Sequence, residues 1–234
     1  MDVAGKKAVI FGGTSGIGLA AAKQLVALGA QVIAVSRNPE KAGEVPAGIT
    51  LKQCDVVDRD AVQAVLKDCA PYDILVGAAT GGARALGPFL EMDMDGYKGS
   101  FNKLWGYANI VRYGAQYLPD DGCIVLLSGS PARKTRPGQV ALGSVGGAVE
   151  AFARAIAPEL APRRINVVSP GVIDTPMITL TGEERAAFYA KVTGGNIIPR
   201  TGTPDEVAQG VLFVIQNDFV TGTTVDVDGG ALLS

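Results

Sequence analysis

Short apolar runs alternate with longer segments of helical periodicity from Lys7 to the end of the chain. A run of roughly four to eight apolar residues bounded by glycine or polar residues is typical of a buried strand, whereas apolar residues at helical spacing indicate a helix. Regular alternation of the two predicts repeated βαβ units. We therefore expect a doubly wound α/β fold, in which helices cover both faces of a parallel sheet.

The pattern predicts a single domain over residues 1–234 with a seven-stranded sheet. The strands are expected at residues 8–11, 31–35, 49–54, 74–76, 123–127, 165–168 and 224–227. The helices are expected at residues 17–28, 59–69, 96–117, 140–160 and 204–217. At the start of the last helix, Thr203, Pro204 and Glu206 have the order of a capping box with proline in the first turn.

The longest irregular stretch, residues 170–202, follows the sixth predicted strand and contains several glycines. Long insertions of this kind are usually lids or disordered segments. We expect a lid over the substrate here, with an apolar lining from Met177, Ile178, Leu180, Phe188 and Tyr189.

A glycine-rich loop joins the first predicted strand to the first predicted helix. Glycines at this place allow a tight turn and a close backbone approach, and the helix N-terminus offers unpaired N–H groups to a pyrophosphate. An ordinary glycine-rich turn is the alternative, but the strand before and the helix after favour a dinucleotide site in a Rossmann-type domain. The candidate residues are Gly12, Thr14, Ser15, Gly16, Ile17 and Gly18.

The composition narrows the possible chemistry. The chain has no histidine and three cysteines, and its 21 basic and 23 acidic residues give a net charge of −2. Without histidine there is no Ser-His-Asp or Cys-His pair and no histidine-built zinc site, so we predict no metal. The low positive charge argues against nucleic acid as a partner.

The hydrophobic fraction of 47% is ample for a core. The first residues lack a basic and apolar leader pattern, and we expect no stretch that approaches the about 20 apolar residues needed to span a bilayer. We expect no membrane partner, a cytoplasmic location, and reduced, mostly buried thiols at Cys54, Cys69 and Cys123.

Four landmarks resemble the short-chain dehydrogenase/reductase family. Gly12, Gly16 and Gly18 follow the family's G-x-x-x-G-x-G spacing, although Phe11 stands where the family has threonine. The others are Cys54-Asp55-Val56, the segment from Pro170 to Thr175, and the end of the chain from Thr221 to Gly230. The resemblance implies an NAD(P)-dependent oxidoreductase that acts on a small molecule. It also implies cofactor contacts at Asp55, Val56, Ala78, Ala79, Pro170, Gly171, Val172 and Thr175.

The end of the second predicted strand indicates which cofactor is used. An acidic residue there would bind the ribose hydroxyls of NAD, whereas arginine accommodates the 2′-phosphate of NADP. Here the residues are Ser36 and Arg37, so we predict NADP(H), the alternative being a solvated turn arginine. For Asp55 the alternative is helix capping.

The family's catalytic residues are missing. Leu142 and Gly146 stand where the family carries its tyrosine and lysine, and no Tyr-x-x-x-Lys occurs anywhere in the chain. Gly129 replaces the catalytic serine, and Lys103 replaces the helical asparagine. Candidates for the remaining chemistry are Lys103, the hydroxyls of Ser128 and Ser130, Arg136 in a basic run, and Asp174. For Lys103 the alternative is a lysine at the surface or at an interface, and for the basic run it is a solvated loop.

Three classes of function fit these residues. The first is an NADPH-dependent reductase of a small carbonyl, or of an iminium-type substrate that needs no proton donor and could be held by Asp174. The second is a catalytically silent NADP(H)-binding sensor or oligomer partner, and the third a cofactor-assisted non-redox enzyme. The glycines at positions 143, 146 and 147 suggest a close helix-to-helix approach, and the resemblance implies a homodimer or homotetramer; packing within the domain is the alternative.

Overall fold

The computed structural model, which describes residues 1–234, contains one seven-stranded sheet in which every pair of neighbours is parallel. The strand order is β3-β2-β1-β4-β5-β6-β7. The strands are β1 Lys7–Phe11, β2 Gln31–Ser36, β3 Ile49–Gln53, β4 Ile74–Gly77, β5 Cys123–Leu127, β6 Arg164–Pro170 and β7 Thr224–Val227. The predicted doubly wound α/β fold is confirmed.

Helices cover both faces of the sheet. They are α1 Gly16–Ala27, α2 Arg59–Cys69, α3 Met94–Ser100, α4 Asn102–Gly114, α5 Val140–Leu160, α6 Gly182–Thr193 and α7 Pro204–Gln216. α1 and α7 bury their apolar side chains on one face, and α2, α4 and α5 bury theirs on the other. The central strands β4 and β5 are buried over their whole length, as expected for a parallel sheet covered on both sides.

Local signals set several helix ends. Asp58 accepts hydrogen bonds from the N–H groups of Asp60 and Ala61 and so begins α2. Thr203 and Glu206 form the predicted capping box at the start of α7, with Thr203 Oγ1 accepting from the Glu206 N–H at 3.2 Å. The boundaries predicted for these two helices are therefore correct to within one residue.

The single helix predicted at residues 96–117 was wrong. α3 ends at Ser100 and α4 begins at Asn102, with Phe101 at φ −72° and ψ −7° between them. The break lies where Gly81 presses on the backbone of Asn102, since a Cβ on Gly81 would lie 2.5 Å from the Asn102 carbonyl carbon. The break therefore coincides with a tertiary contact, which helical periodicity does not reveal.

The irregular stretch predicted at residues 170–202 was also wrong in part, because it contains the helix α6. Thr181 precedes this helix, and the first turn carries Glu183 and Glu184, which suit the positive end of a helix dipole. Tyr189 turns inward from α6 and is 8% exposed, so it belongs to the packed part of this segment.

The statement that no stretch has the length and hydropathy of a membrane span was wrong for α5. This helix has 21 residues and a window of mean hydropathy 1.4. However, Ala141, Val145, Val149 and Ala153 lie along one side of α5 and are buried in the domain. α5 therefore packs one of its sides on the core of the domain.

Candidate functional site

Two loops meet where the sheet changes its direction of winding, between β1 and β4. Ligands of open α/β sheets bind at such a switch point, beyond the carboxyl ends of the strands. Gly12 follows β1 with φ +85°, and a Cβ on it would lie 2.6 Å from the backbone nitrogen of Ala79. A Cβ on Gly18 would lie 2.1 Å from the Gly12 carbonyl oxygen. The predicted residues Gly12, Gly18, Ala78 and Ala79 are therefore brought together, and only glycine fits at both glycine positions.

The N-terminus of α1 opens onto this loop. Ser15 is the N-cap, its hydroxyl makes no capping hydrogen bond, and the first turn carries no acidic residue. Unpaired N–H groups and the helix dipole make this end suitable for an anion. Gly16 adopts φ +50°, and a Cβ on it would lie 3.4 Å from Cγ2 of Thr175, so the glycine loop touches the segment after β6. Thr14 is half-buried, and Ile17 packs on the core.

The end of β2 leaves two side chains without partners. Ser36 Oγ is buried and has no hydrogen-bond partner. Arg37 is exposed, and no ion pair or hydrogen bond engages its guanidinium, although Gln53 Nε2 donates to its carbonyl oxygen at 3.0 Å. An orphaned hydroxyl beside an unpaired arginine suits a phosphorylated ribose.

Asp55 is not the cap of α2, because Asp58 has that role. Asp55 Oδ1 accepts from the N–H of Val57 at 3.1 Å, and its other carboxylate oxygen makes no hydrogen bond. Val56 is buried against α4, where a Cβ on Gly106 would lie 2.6 Å from Val56 Cγ2. The capping alternative for Asp55 is thereby wrong, and the cofactor role predicted for Asp55 and Val56 stays a prediction.

The segment from Pro170 to Thr175 runs along the same edge of the sheet. A Cβ on Gly171 would lie 2.8 Å from the Cα of Asp228, so Gly171 allows the segment to pass close to the end of β7. Ile173 forms a parallel bridge with Gly202, and the Asp174 N–H donates to the Gly202 carbonyl oxygen at 2.9 Å. Pro170, Gly171, Val172 and Thr175 are half-buried beside the glycine loop.

Lys103 reaches from the first turn of α4 to the end of β5. Its Nζ donates to the backbone oxygen of Ser128 at 3.0 Å and lies 5.7 Å from the ring centroid of Tyr107. Burial of the amino group, together with repulsion by Arg84, lowers the pKa of Lys103 to about 7. A lysine with this pKa exchanges protons readily near neutral pH.

Ser128 and Ser130 have different surroundings. Ser128 is buried, and its hydroxyl donates to Glu150 Oε1 at 3.0 Å. Glu150 is 4% exposed and also lies 3.4 Å from Nε of Arg133. The Ser130 hydroxyl is half-buried and makes no hydrogen bond. Only Ser130 therefore has a hydroxyl free to meet a substrate.

The face of α5 that carries Leu142 and Gly146 packs against the segment after β5. A Cβ on Gly146 would lie 2.9 Å from Cβ of Ala132, and one on Gly143 would lie 2.3 Å from Cγ2 of Thr135. These contacts with the 130–135 segment fit the alternative of packing within the domain, and the approach of a helix from a second protomer stays a prediction. A lysine at position 146 has no room in this arrangement.

Arg136 and Asp174 do not join Lys103. Arg136 lies in an exposed loop, where its N–H donates to Gln139 Oε1 at 3.1 Å. Asp174 pairs with Arg185 and accepts the phenol hydrogen of Tyr189 at 3.0 Å, so its charge is already balanced. These bonds hold the pKa of Asp174 below its usual value, whereas burial raises the pKa of Tyr189.

Two residues near the site were missed by the sequence reasoning. Glu150 is the one charged residue in the otherwise apolar and small stretch 140–153 of α5, which was the available signal for a buried partner. Arg84 lies in the loop after β4, and its position after a Gly-Gly pair at the carboxyl edge was the available signal. Its Nη2 donates to Sδ of Met177.

Comparison with known proteins agrees with this arrangement. A family model described as enoyl-(acyl carrier protein) reductase matches residues 12–231. The carbonyl reductase family member 4 of Danio rerio is 33% identical and aligns over 97% of this chain and 98% of its own. The chain belongs to the short-chain dehydrogenase/reductase family.

Solved structures of this family superpose closely. A small-chain dehydrogenase in complex with NADPH has a TM-score of 0.84 at 29% identity, covering 98% of this chain and all (100%) of the other. A short chain oxidoreductase from Pseudomonas aeruginosa PAO1, described as containing an atypical catalytic center, has a TM-score of 0.86 at 27% identity and covers 96% of both chains.

The residues present fit the short-chain dehydrogenase/reductase cofactor. The glycine loop has no room for a Cβ at Gly12 or Gly18. The N-terminus of α1 has no side-chain cap and is free for the pyrophosphate, and the side chains of Ser36 and Arg37 have no partner at the ribose end. The protein is accordingly an oxidoreductase of this family with a nicotinamide-dinucleotide site.

Proposed function

We propose that the protein is an NADPH-dependent reductase of a small carbonyl compound, in which Lys103 takes the place of the family's tyrosine as proton donor. The observation that carries this proposal is the position of Lys103. Its amino group lies at the carboxyl end of β5, bonded to the Ser128 carbonyl oxygen, with its pKa lowered to about 7.

The preference for NADPH rests on Arg37. No carboxylate stands at the end of β2 to bind ribose hydroxyls, and the Arg37 guanidinium is free to form paired hydrogen bonds with a 2′-phosphate. Ser36 Oγ, buried and unpartnered, is available beside it.

The proposed reduction accounts for the hydride, the electron pair and the proton. NADPH, when bound, supplies a hydride to the carbonyl carbon. The carbonyl π pair becomes a lone pair on oxygen, and Lys103 gives that oxygen a proton and becomes a neutral amine. Solvent then returns a proton to Lys103. Removal of a positioned proton donor typically costs about 10²–10⁴ in rate.

A carbonyl suits this site better than a cationic iminium. Asp174, the residue that would balance an iminium charge, is paired with Arg185 and Tyr189. Lys103, and Arg84 whose charge acts on it, would repel a positive substrate. Neither feature opposes a neutral or anionic carbonyl.

The test mixes purified protein with NADPH or NADH and a panel of ketones, quinones and cyclic imines while the nicotinamide absorbance is followed. We expect ketone reduction with NADPH, and a loss of about 10²–10⁴ in kcat for Lys103→Met. Tight NADPH binding with no turnover of any substrate would overturn the proposal in favour of a catalytically silent binding protein. Unchanged kcat in Lys103→Met would remove Lys103 from the reaction.

Further properties remain proposals. We infer that residues 1–234 work as one unit with the 170–202 segment as a lid, because Thr175 lies against the glycine loop. We also infer a homodimer or homotetramer, as the family resemblance implies; the exposed Trp105 on α4, 62% accessible, is a residue that such contacts would cover. A cytoplasmic location is supported by the three free thiols.

A further inference from the structure

Arg84 is placed beside Lys103 by contacts on both sides of it. Gly81, with φ +73°, is pressed against the backbone of Asn102, and the Ala85 N–H donates to Ser100 Oγ at 2.8 Å. The loop between β4 and α3 is thus held against α3 and α4 around Arg84. The Arg84 guanidinium in turn contacts Met177, so it extends from this loop to the 170–202 segment.

The Arg84 charge has no carboxylate partner. Four other arginines near the carboxyl edge or at the β6 and β7 ends are paired with acids: Arg133 with Asp226, Arg164 with Asp218, Arg185 with Asp174, and Arg200 with Glu206. Arg84 has only the thioether of Met177, which is a weak acceptor. The residue is exposed, yet surrounding atoms desolvate its guanidinium enough to lower its pKa.

The charge that acts on Lys103 has the same sign as its own. Arg84 is the one charged group that shifts the pKa of Lys103, and it shifts it downward. The nearby acids Glu150 and Asp174 are already committed to Arg133 and Arg185. Two neighbouring cations without a carboxylate partner form a site that an anion would stabilise.

We propose that Arg84 binds an anionic group, a carboxylate or a phosphate ester, carried by the carbonyl substrate. This inference rests on the proposed reductase function. The planar guanidinium can hold either anion through two hydrogen bonds and so selects charged ketones over neutral ones. A bound anion also favours the protonated form of Lys103, which is the form that donates a proton.

The anion belongs to the substrate rather than to the cofactor. The phosphate-binding features are Gly12, Gly16 and the α1 N-terminus, and none of them contacts Arg84. Arg84 instead contacts Met177 of the lid segment. A change at Arg84 should therefore leave the affinity for NADPH unchanged.

The experiment compares ketones that differ in charge alone: a keto carboxylate, its methyl ester, and the matching keto phosphate ester, each with NADPH. The variants are Arg84→Gln, Arg84→Lys and, as a control, Arg112→Gln, which removes an exposed arginine 5.7 Å from the ring of Tyr113 at the far end of α4. Arg84→Gln should lower kcat/KM for the preferred anionic ketone by roughly 10- to 100-fold, since hydrogen bonds to charged groups have this effect. With all assays run at a pH well below 7, where Lys103 is protonated in every variant, kcat/KM for the ester should be unchanged in Arg84→Gln. Arg84→Lys should give an intermediate value for the anionic ketone, and Arg112→Gln should equal wild type.

Calorimetry supplies a readout without turnover. Protein loaded with NADP⁺ is titrated with the same keto carboxylate and keto phosphate, and Arg84→Gln should weaken binding of the anion that wild type prefers by the same factor. Three results would overturn the proposal. The first is a wild-type kcat/KM that is equal for charged and neutral ketones. The others are found in Arg84→Gln: an equal loss of kcat/KM for both kinds of ketone, or an increased Kd for NADPH. If anions bind in a way that depends on Arg84 but no ketone accepts a hydride, the anion site stands and the reductase function is wrong. If only neutral ketones are reduced, the reductase function stands and the anion site is wrong.

Discussion

Gly146 of α5 faces Ala132 so closely that a Cβ on Gly146 would lie 2.9 Å from Cβ of Ala132. This position is where the family resemblance places the catalytic lysine. The segment after β5 therefore occupies the space next to α5 that such a side chain would need. A lysine at position 146 would clash with this packed segment.

This contact predicts opposite effects at two adjacent glycines. Gly146→Ala should lower the free energy of unfolding, because overpacking costs about 1–3 kcal/mol and exceeds the gain in helix propensity. Gly147→Ala should raise it by up to about 1 kcal/mol, since its added Cβ would lie 3.8 Å from the Ala132 carbonyl oxygen. Urea denaturation followed by circular dichroism measures both.

The matched pair separates packing from helix propensity. If both alanine variants were stabilised equally, the close contact between Gly146 and Ala132 would not exist in solution. The double variant Leu142→Tyr/Gly146→Lys, which writes the family motif into α5, should be less stable than wild type and gain no ketone reductase activity.

The fold and the cofactor loop were predictable because their signals are local. Gly12 and Gly18 follow directly on β1, and the capping box at Thr203 and Glu206 lies within one turn of α7. Alternation of short apolar runs with helical segments is enough to predict a parallel sheet covered by helices on both faces.

The surroundings of the candidate catalytic residues were less predictable, because they depend on contacts between distant segments of the chain. The break at Phe101 lies beside Gly81 of a distant loop, and Asp174 is paired with Arg185 on the unexpected helix α6. The role of Ser128 is set by Glu150, 22 residues away in the chain. Neither periodicity nor motif spacing reports which side chains meet across the sheet edge.

Arg37 predicts a cofactor preference that one substitution reverses. Arg37→Gln should raise the Kd for NADPH by roughly 10- to 100-fold, the effect of losing charge-assisted hydrogen bonds, and leave the Kd for NADH unchanged. Titration of protein fluorescence with each cofactor measures both constants. Lys41→Gln, in the Pro39–Ala42 turn nearby, removes an equal charge and serves as the control. Equal weakening of both cofactors in Arg37→Gln would show that Arg37 does not contact the 2′-phosphate.

Lys103 predicts a pH profile for ketone reduction. Burial and Arg84 lower its pKa from 10.5 to about 7, and only the protonated amine donates a proton. The value of kcat/KM should therefore be constant below pH about 7 and decrease above it. Steady-state assays from acidic to alkaline pH with a neutral ketone provide the measurement.

Two variants identify the group responsible for that profile. Arg84→Gln removes a like charge, which raises the pKa of Lys103 and should move the decrease to higher pH. Lys103→Met should abolish the decrease together with most of the rate. A profile that keeps its position in Arg84→Gln would mean that another group titrates.

The last prediction concerns the two serines after β5. Ser128→Ala removes the hydroxyl that donates to buried Glu150 and should cost about 1–3 kcal/mol of unfolding free energy, because it leaves a carboxylate oxygen unsatisfied. Ser130→Ala removes a hydroxyl without a partner and should change stability by less than about 0.5 kcal/mol. Only Ser130→Ala should alter ketone kinetics, with kcat/KM reduced roughly 3- to 10-fold by the loss of one neutral hydrogen bond. Denaturation and steady-state assays on the same two variants give both quantities, and a stable Ser128→Ala with reduced kcat/KM would instead place the Ser128 hydroxyl on the substrate.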